Sequence, residues 1–589
     1  MVPERLASPE RSLGRALIAL LVAAAGLYFA LVVSFFPTAQ GRMGHDYEYF
    51  LPLLLAGKYW IVENGFFAVP RFSPAFCGGL PFLANPQSIF YSVPQLLSLA
   101  IDPIRSFFAT TVIFAGIGAG GTYALMARRF GVSAAAAALS AVIFLFNGFL
   151  MYRMAIGHVT YHVVGLVPLL CYLSLTPVVP GGSWLVRLRQ VAGPVAGVAA
   201  ILAYFVYAGA PNALVPLGMT CLMVWLLHAL IRGPAQSIWA IGGAAALIGA
   251  ATSAAKLAPA LAFLHQFPRP DGLHLFDDAS AFIIALFEGL FLPSFLPDQV
   301  EFVGRHELEF GVGLAPFMLI IMGMRVVADR IGLRPLLRRI GLRQGIELAA
   351  LGLLIAVPFW LNYGGPAKAA WLKSLPYIGD NVVLVRWFYV YLLPLSVGAG
   401  LLLDFVFPTA RERLRAAMIG IVLTVAPVLL ADRAYYGNQP YDPATILAAD
   451  RDLGRTGTVP PITGIDPDQA GQRDDGIAAG DSAYPCYEPI FGYALENFPP
   501  GFKEGRLGTD DRHLRNPACY IYGADNACVP GAVFTPAQRP EEAAFAHYRR
   551  FSYALPAWQR WADRISLLGL AMILIGFAVP FRAMRLPRR

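Results

Sequence analysis

Ala16-Leu-Ile-Ala-Leu-Leu-Val-Ala-Ala-Ala-Gly-Leu-Tyr-Phe-Ala-Leu-Val-Val-Ser-Phe-Phe-Pro37 carries no charge over 22 positions. About 20 apolar residues in helical form cross the ~30 Å hydrocarbon core of a bilayer, so this run reads as a membrane span. Arg5, Arg11 and Arg15 precede it and no small-x-small cleavage site follows. It therefore reads as an uncleaved anchor rather than a signal peptide. The rest of the chain repeats the pattern. Of 589 residues, 57% are hydrophobic and 14% charged, with a mean hydropathy of +0.57. Charge this sparse excludes a soluble globular protein and fits a polytopic membrane protein.

Apolar length places further spans near 106–127, 132–150, 163–179, 190–208, 213–231, 237–262, 311–328, 345–361, 384–405, 415–431 and 565–581, about twelve transmembrane helices with the first. The basic groups Arg128/Arg129, Arg187/Arg189, Arg232, 330–343, Arg411/Arg413/Arg415 and 582–589 then share one side with the N-terminal arginines. By the positive-inside rule both termini are cytoplasmic. The stretch 88–101 would break this alternation as a span and is assigned to the outer interface. The expected fold is an all-α polytopic module over 1–431, with outer loops at 38–105 and 263–310. A small acidic α+β extracytoplasmic domain over 432–563 follows, then a last helix and basic tail over 564–589.

Charge agrees with this division. Residues 432–563 hold 18 acidic and 12 basic side chains, a net −6 against +8 for the chain, so the remainder carries +14. That excess suits cytoplasmic loops facing anionic lipid and requires no nucleic-acid partner. Cys171 and Cys221 fall in spans, whereas Cys77, Cys486, Cys519 and Cys528 fall on the outer side, where oxidation is permitted. Cys519 and Cys528 close a short loop and are the favoured pair; free thiols are the alternative. No Asn-x-Ser/Thr sequon is present, which points to a bacterial inner membrane rather than an endoplasmic reticulum. Nor is there a nucleotide-binding glycine loop.

Four groups of residues carry chemistry. Gly44-His-Asp46-Tyr-Glu48 follows the first span and precedes an apolar stretch, Tyr49 to Trp60, expected to lie as a helix in the interface. Asp46 is either a catalytic base for an acceptor hydroxyl or the N-cap of that helix; Glu48 is a substitute, and His45 reads as a loop residue. Arg153…Gly157-His158-Val-Thr-Tyr-His162 forms a tight turn whose two histidines either serve phosphate or sugar hydrogen bonding or belong to a plain interfacial turn, two ligands being too few for a metal. Lys256, inside its span, and Arg386, opening another, are either phosphate contacts or snorkelling and paired cations. Glu307 and Glu309 in His306-Glu-Leu-Glu309 orient sugar hydroxyls, hold a divalent cation with Asp46, or are solvated loop charge.

In order along the chain these motifs resemble the GT-C superfamily of membrane glycosyltransferases, particularly its YfhO-like bacterial branch. The resemblance rests on Gly44-His-Asp46, Pro74…Gly78-Gly-Leu-Pro81…Asn85-Pro-Gln87, Gly157-His158, Lys256-Leu-Ala-Pro259 with Arg269, Glu307…Gly311-Val-Gly313 and Leu375-Pro…Arg386. It covers residues 12–430. The resemblance implies a polyprenyl-phosphate sugar donor, transfer at the outer leaflet to a glycan, lipid or protein acceptor, and Asp46 as general base. The first loop lacks the adjacent acidic pair of many relatives, and 432–563 has no counterpart. A lipid or lipid-linked-glycan flippase would use the same intramembrane charges. A non-enzymatic assembly partner would leave Asp46 and Lys256 dispensable.

Overall fold

Uncharged sequence becomes helix because only a helix satisfies its own backbone in lipid. Among the described residues of the computed structural model, ten helices are long and apolar enough to cross a membrane: Ser12–Val33, Pro103–Phe130, Ala134–Ile156, Trp184–Tyr207, Pro211–Arg232, Ser237–Gln266, Leu342–Asn362, Leu384–Val406, Ala410–Leu430 and Ala557–Ala578. The structure describes residues 9–579 except 179–182, 236, 268–271, 333–334, 336–339, 380, 382, 467–474, 484–502, 504 and 509–511. Arg269, Cys486 and the basic tail 582–589 lie outside the described residues.

One expected span is shorter than the sequence suggests, and another is shifted along the chain. The run at 163–179 is a tight 3-10 segment, Val159–Leu166, leading into a short α-helix, Val167–Ser174. The run at 311–328 does not become helical until Leu314, because Gly311 and Gly313 hold φ of +50° and +76°. It continues through a π-helical segment, Val327–Ile331, amid Arg325, Asp329 and Arg330.

The expected interfacial helix is real but misplaced. It spans Tyr47–Asn64 and is buried on nearly every side through Trp60. A helix apolar all round belongs inside protein rather than flat on a membrane. The loop 263–310 holds an unforeseen apolar helix, Ala279–Phe291, capped by the Asp278 carboxylate accepting from the Ser280 and Ala281 amides at 2.8 and 3.3 Å.

The segment after Ala431 contains helices Ala444–Thr456, Ala518–Tyr522 and Arg539–Ala546. Its three-stranded sheet pairs Gly464–Asp466 parallel with Asp481–Ala483 and antiparallel with Gly505–Arg506. Cys519 and Cys528 are bonded, and Cys77 is disulfide-bonded too. This segment interleaves with the first loop. Met43 bridges Tyr441, Phe76 bridges Ala483, and the Arg515 amide donates to the Gly78 carbonyl at 2.8 Å. Ion pairs Lys58–Asp450, Arg71–Asp563 (2.6 Å) and Arg549–Glu63 (2.8 Å) join the same two regions.

Candidate functional site

Two glycines bring the motifs together. A Cβ on Gly44 would sit 2.1 Å from the Ile156 carbonyl oxygen. Gly157, at φ +107°, ends the Ala134–Ile156 span, and a Cβ there would meet the Tyr47 amide nitrogen at 2.7 Å. Only glycine permits backbones this close. The Asp46 amide can then donate to the Ile156 carbonyl at 3.2 Å.

Asp46 occupies the N-cap of Tyr47–Asn64, yet its side chain makes no capping bond. Its carboxylate turns to the neighbouring loop, with Oδ2 2.9 Å from His158 Nε2 and Oδ1 3.2 Å from His45 Nε2. Burial pushes this carboxyl up, but His158, His45 and Arg386 outweigh it and hold the group at about 2.

Behind His158 stands Arg153, wholly buried. Its Nη1 lies 2.9 Å from His158 Nδ1, and its Nη2 lies 2.5 Å from a Glu307 carboxylate oxygen. The guanidinium also sits over the Phe149 ring at 5.0 Å. Arg386 grips the same Glu307 carboxylate from the other side, its Nε 3.0 and 2.8 Å from the two oxygens. Burial raises the Glu307 carboxyl, but the two arginines win and hold it well below the usual range. His306 completes the ring of groups, its Nδ1 2.6 Å from the Tyr435 hydroxyl and its Nε2 3.6 Å from Glu307.

Protonation states follow from donor capacity. An arginine only donates, so His158 Nδ1 accepts and its proton resides on Nε2, donated to Asp46. Burial also lowers the His158 pKa to about 4 despite Asp46, keeping the ring neutral. Ligating atoms of His45, Asp46 and His158, and of His158, His306 and Glu307, lie within 4.8 Å of one another. A cation does not fit this hydrogen bonding: His158 Nε2 holds a proton, and the Glu307 oxygens are filled by two arginines.

A cavity of about 840 Å³ opens beside these groups. Asp46, Glu48, His158, Lys256, Glu307 and Arg386 line it. Lys256 is 1% exposed, and its Nζ donates to the Ser88 carbonyl at 2.8 Å. No carboxylate among the described residues pairs with it. The buried Ser88 hydroxyl and the Gln87 side-chain oxygen have no hydrogen-bond partner among the described residues. The Lys256 helix also contributes apolar wall through Leu257, Ala260, Leu261 and Leu264, of which Leu261 is 65% exposed.

Three expected site residues do not reach this cavity. Arg153 holds His158 and Glu307 from behind. His162 is fully buried, Nδ1 2.6 Å from the Val159 carbonyl and Nε2 2.8 Å from the Tyr204 hydroxyl. Glu309 pairs with Arg305 at 2.9 Å and accepts from the Tyr436 hydroxyl at 2.7 Å; burial raises its carboxyl even so. Conversely, His45 and His306 line the cavity and were not singled out by the sequence. Their adjacency to Asp46 and Glu307 was the available signal. No family model, no curated protein and no solved structure matches the chain.

Proposed function

We propose that the chain is a membrane glycosyltransferase of the GT-C kind, moving a sugar from a polyprenyl-phosphate donor to a glycan, lipid or protein acceptor. In this reading it crosses a bacterial cytoplasmic membrane twelve times with both termini cytoplasmic, and the site faces outward. The observation that carries the reading is Lys256, buried and without a countercharge among the described residues, in the wall of the cavity that exposes Asp46. Burying an unpaired ammonium is costly, and an anionic ligand repays that cost. The exposed Leu261 wall suits an isoprenoid chain entering from the bilayer.

The chemistry divides along the cavity. The Asp46 carboxylate is the group on which removal of the acceptor proton depends. Toward Lys256 the leaving phosphate gains negative charge as its bond to the anomeric carbon breaks, and the fixed ammonium stabilises it. Arg386 contributes less, because Glu307 already compensates it. Arg153 holds Glu307 and His158 in place.

The test is mass spectrometry of lipid copurifying with the wild type and with Asp46→Asn. The variant retains a sugar-loaded carrier that the wild type turns over. Equal amounts of sugar-free lipid in both samples would support translocation of a lipid headgroup instead.

A further inference from the structure

Both oxygens of the Asp46 carboxylate face histidine nitrogens, His158 Nε2 at 2.9 Å and His45 Nε2 at 3.2 Å. An ionised carboxylate only accepts, so His158 Nε2 donates to it; His45 Nε2 lies in ion-pair contact, and turns a proton to the carboxylate in the tautomer that leaves Nδ1 free. The two rings differ in what lies behind them. His158 Nδ1 is filled by Arg153 and the ring is buried. The His45 side chain is 47% exposed, lines the cavity, and its Nδ1 has no partner among the described residues. A neutral imidazole protonated at Nε2 presents a lone pair at Nδ1.

We infer that His45 Nδ1, rather than an Asp46 oxygen, takes the proton of the acceptor hydroxyl, with Asp46 as the positioning residue behind it. This rests on the transferase reading. In the step, the acceptor O–H proton moves to Nδ1 while the hydroxyl oxygen forms a bond to the anomeric carbon. The bond from that carbon to the phosphate oxygen breaks, and its electron pair leaves with the lipid phosphate. His45 becomes an imidazolium, and the adjacent Asp46 carboxylate balances its charge, the logic of a base oriented by a third group.

The surroundings agree. The groups facing His45 are Asp46 on its own loop, His158 on the turn after Ile156, and His306, with ring centroids 6.5 and 6.0 Å away for the two histidines. Glu307 and Arg386 share the cavity wall but are committed to each other. Asp46, held at about 2, is a poor proton acceptor near neutrality and a durable counter-ion.

Two readouts on the full-length protein in detergent test the inference. Diethyl pyrocarbonate labelling near neutral pH, mapped by mass spectrometry, should modify His45 and spare His158. A spared His45 beside a labelled His158 overturns the proton arrangement whatever the protein's activity. Second, His45→Ala should lose about 10²- to 10⁴-fold in sugar transfer while keeping its lipid donor, with partial rescue by added imidazole. Wild-type transfer in His45→Ala, or a loss that imidazole does not relieve, overturns the assignment. A wild type that transfers no sugar at all refutes the transferase reading, and the labelling still reports whether His45 presents a reachable, unprotonated nitrogen.

Discussion

Glu307→Gln is the most informative single change in this protein. The substitution keeps shape and removes one negative charge, leaving Arg153 and Arg386 to share a neutral amide. Arg153 is wholly buried and Glu307 is 5% exposed, so water cannot replace the lost partner. Breaking a buried pair from one side costs ~3–5 kcal/mol, because the remaining charge stays desolvated. Arg386 is one-third exposed and recovers part of its share through solvent. The expected loss is therefore set by Arg153 and lies at the lower end, ~3 kcal/mol. Thermal melts in detergent or nanodiscs read it directly. Adding Arg153→Met removes the orphaned cation, so the double variant should recover ~1–3 kcal/mol relative to the sum of the two singles. A Glu307→Gln protein that melts with the wild type, or strict additivity in the cycle, refutes the argument that Glu307 is the shared counter-ion.

Lys256→Met should weaken binding of polyprenyl-phosphate lipid by ~10- to 100-fold while leaving the melting temperature level or raised, since an unpaired buried cation is removed; a fall in stability with unchanged lipid binding would assign Lys256 to structure. On acidification the unfolded chain protonates His158 near pH 6.5 and the native chain only near 4. The unfolded state then binds more protons, so stability falls across that window by ~3 kcal/mol. Melts between pH 7 and 4 should show the loss in the wild type and a smaller one in His158→Asn. Gly157→Ala should separate Asp46 from His158 and abolish transfer, read in the lipid assay above, because the new Cβ meets the Tyr47 and Asp46 backbone. Reducing Cys519–Cys528, which closes a separation of 9 residues, should cost ~2–3 kcal/mol, seen as an earlier melt in reductant.

The spans were legible because length and apolar content are local properties. Ten expected runs contain or overlap long, apolar helices; the run at 163–179 becomes a shorter helix, Val159–Ser174, and the run at 311–328 starts late after two left-handed glycines and takes in Arg325, Asp329 and Arg330. The site was legible only in parts. Gly44-His-Asp46 and Gly157-His158 are visible separately, but nothing in one sequence pairs Gly44 with Ile156. Arg153 and Glu307, 154 positions apart, raise the same difficulty. His158 and His162 looked like one helical face on the assumption of α-helical spacing. The left-handed Gly157 and the 3-10 geometry after it turn His158 to Asp46 and His162 inward to Tyr204. His45, a histidine in a loop, carries no sequence pattern; its place in the inferred step rests on its contact with Asp46 and its position in the cavity wall.

The interleaving of residues 43–78 with the segment after Ala431 constrains how this protein can be altered by recombination. Lys58–Asp450 and Arg71–Asp563 tie the loop that carries Asp46 to a helix and to the last span, the latter contributed from nearly 500 positions away. Exchanging the tail alone between relatives would present foreign partners to that loop. A chimaera that preserves the site must carry both stretches from one parent, so the first 100 residues and the last 150 form a single unit of inheritance.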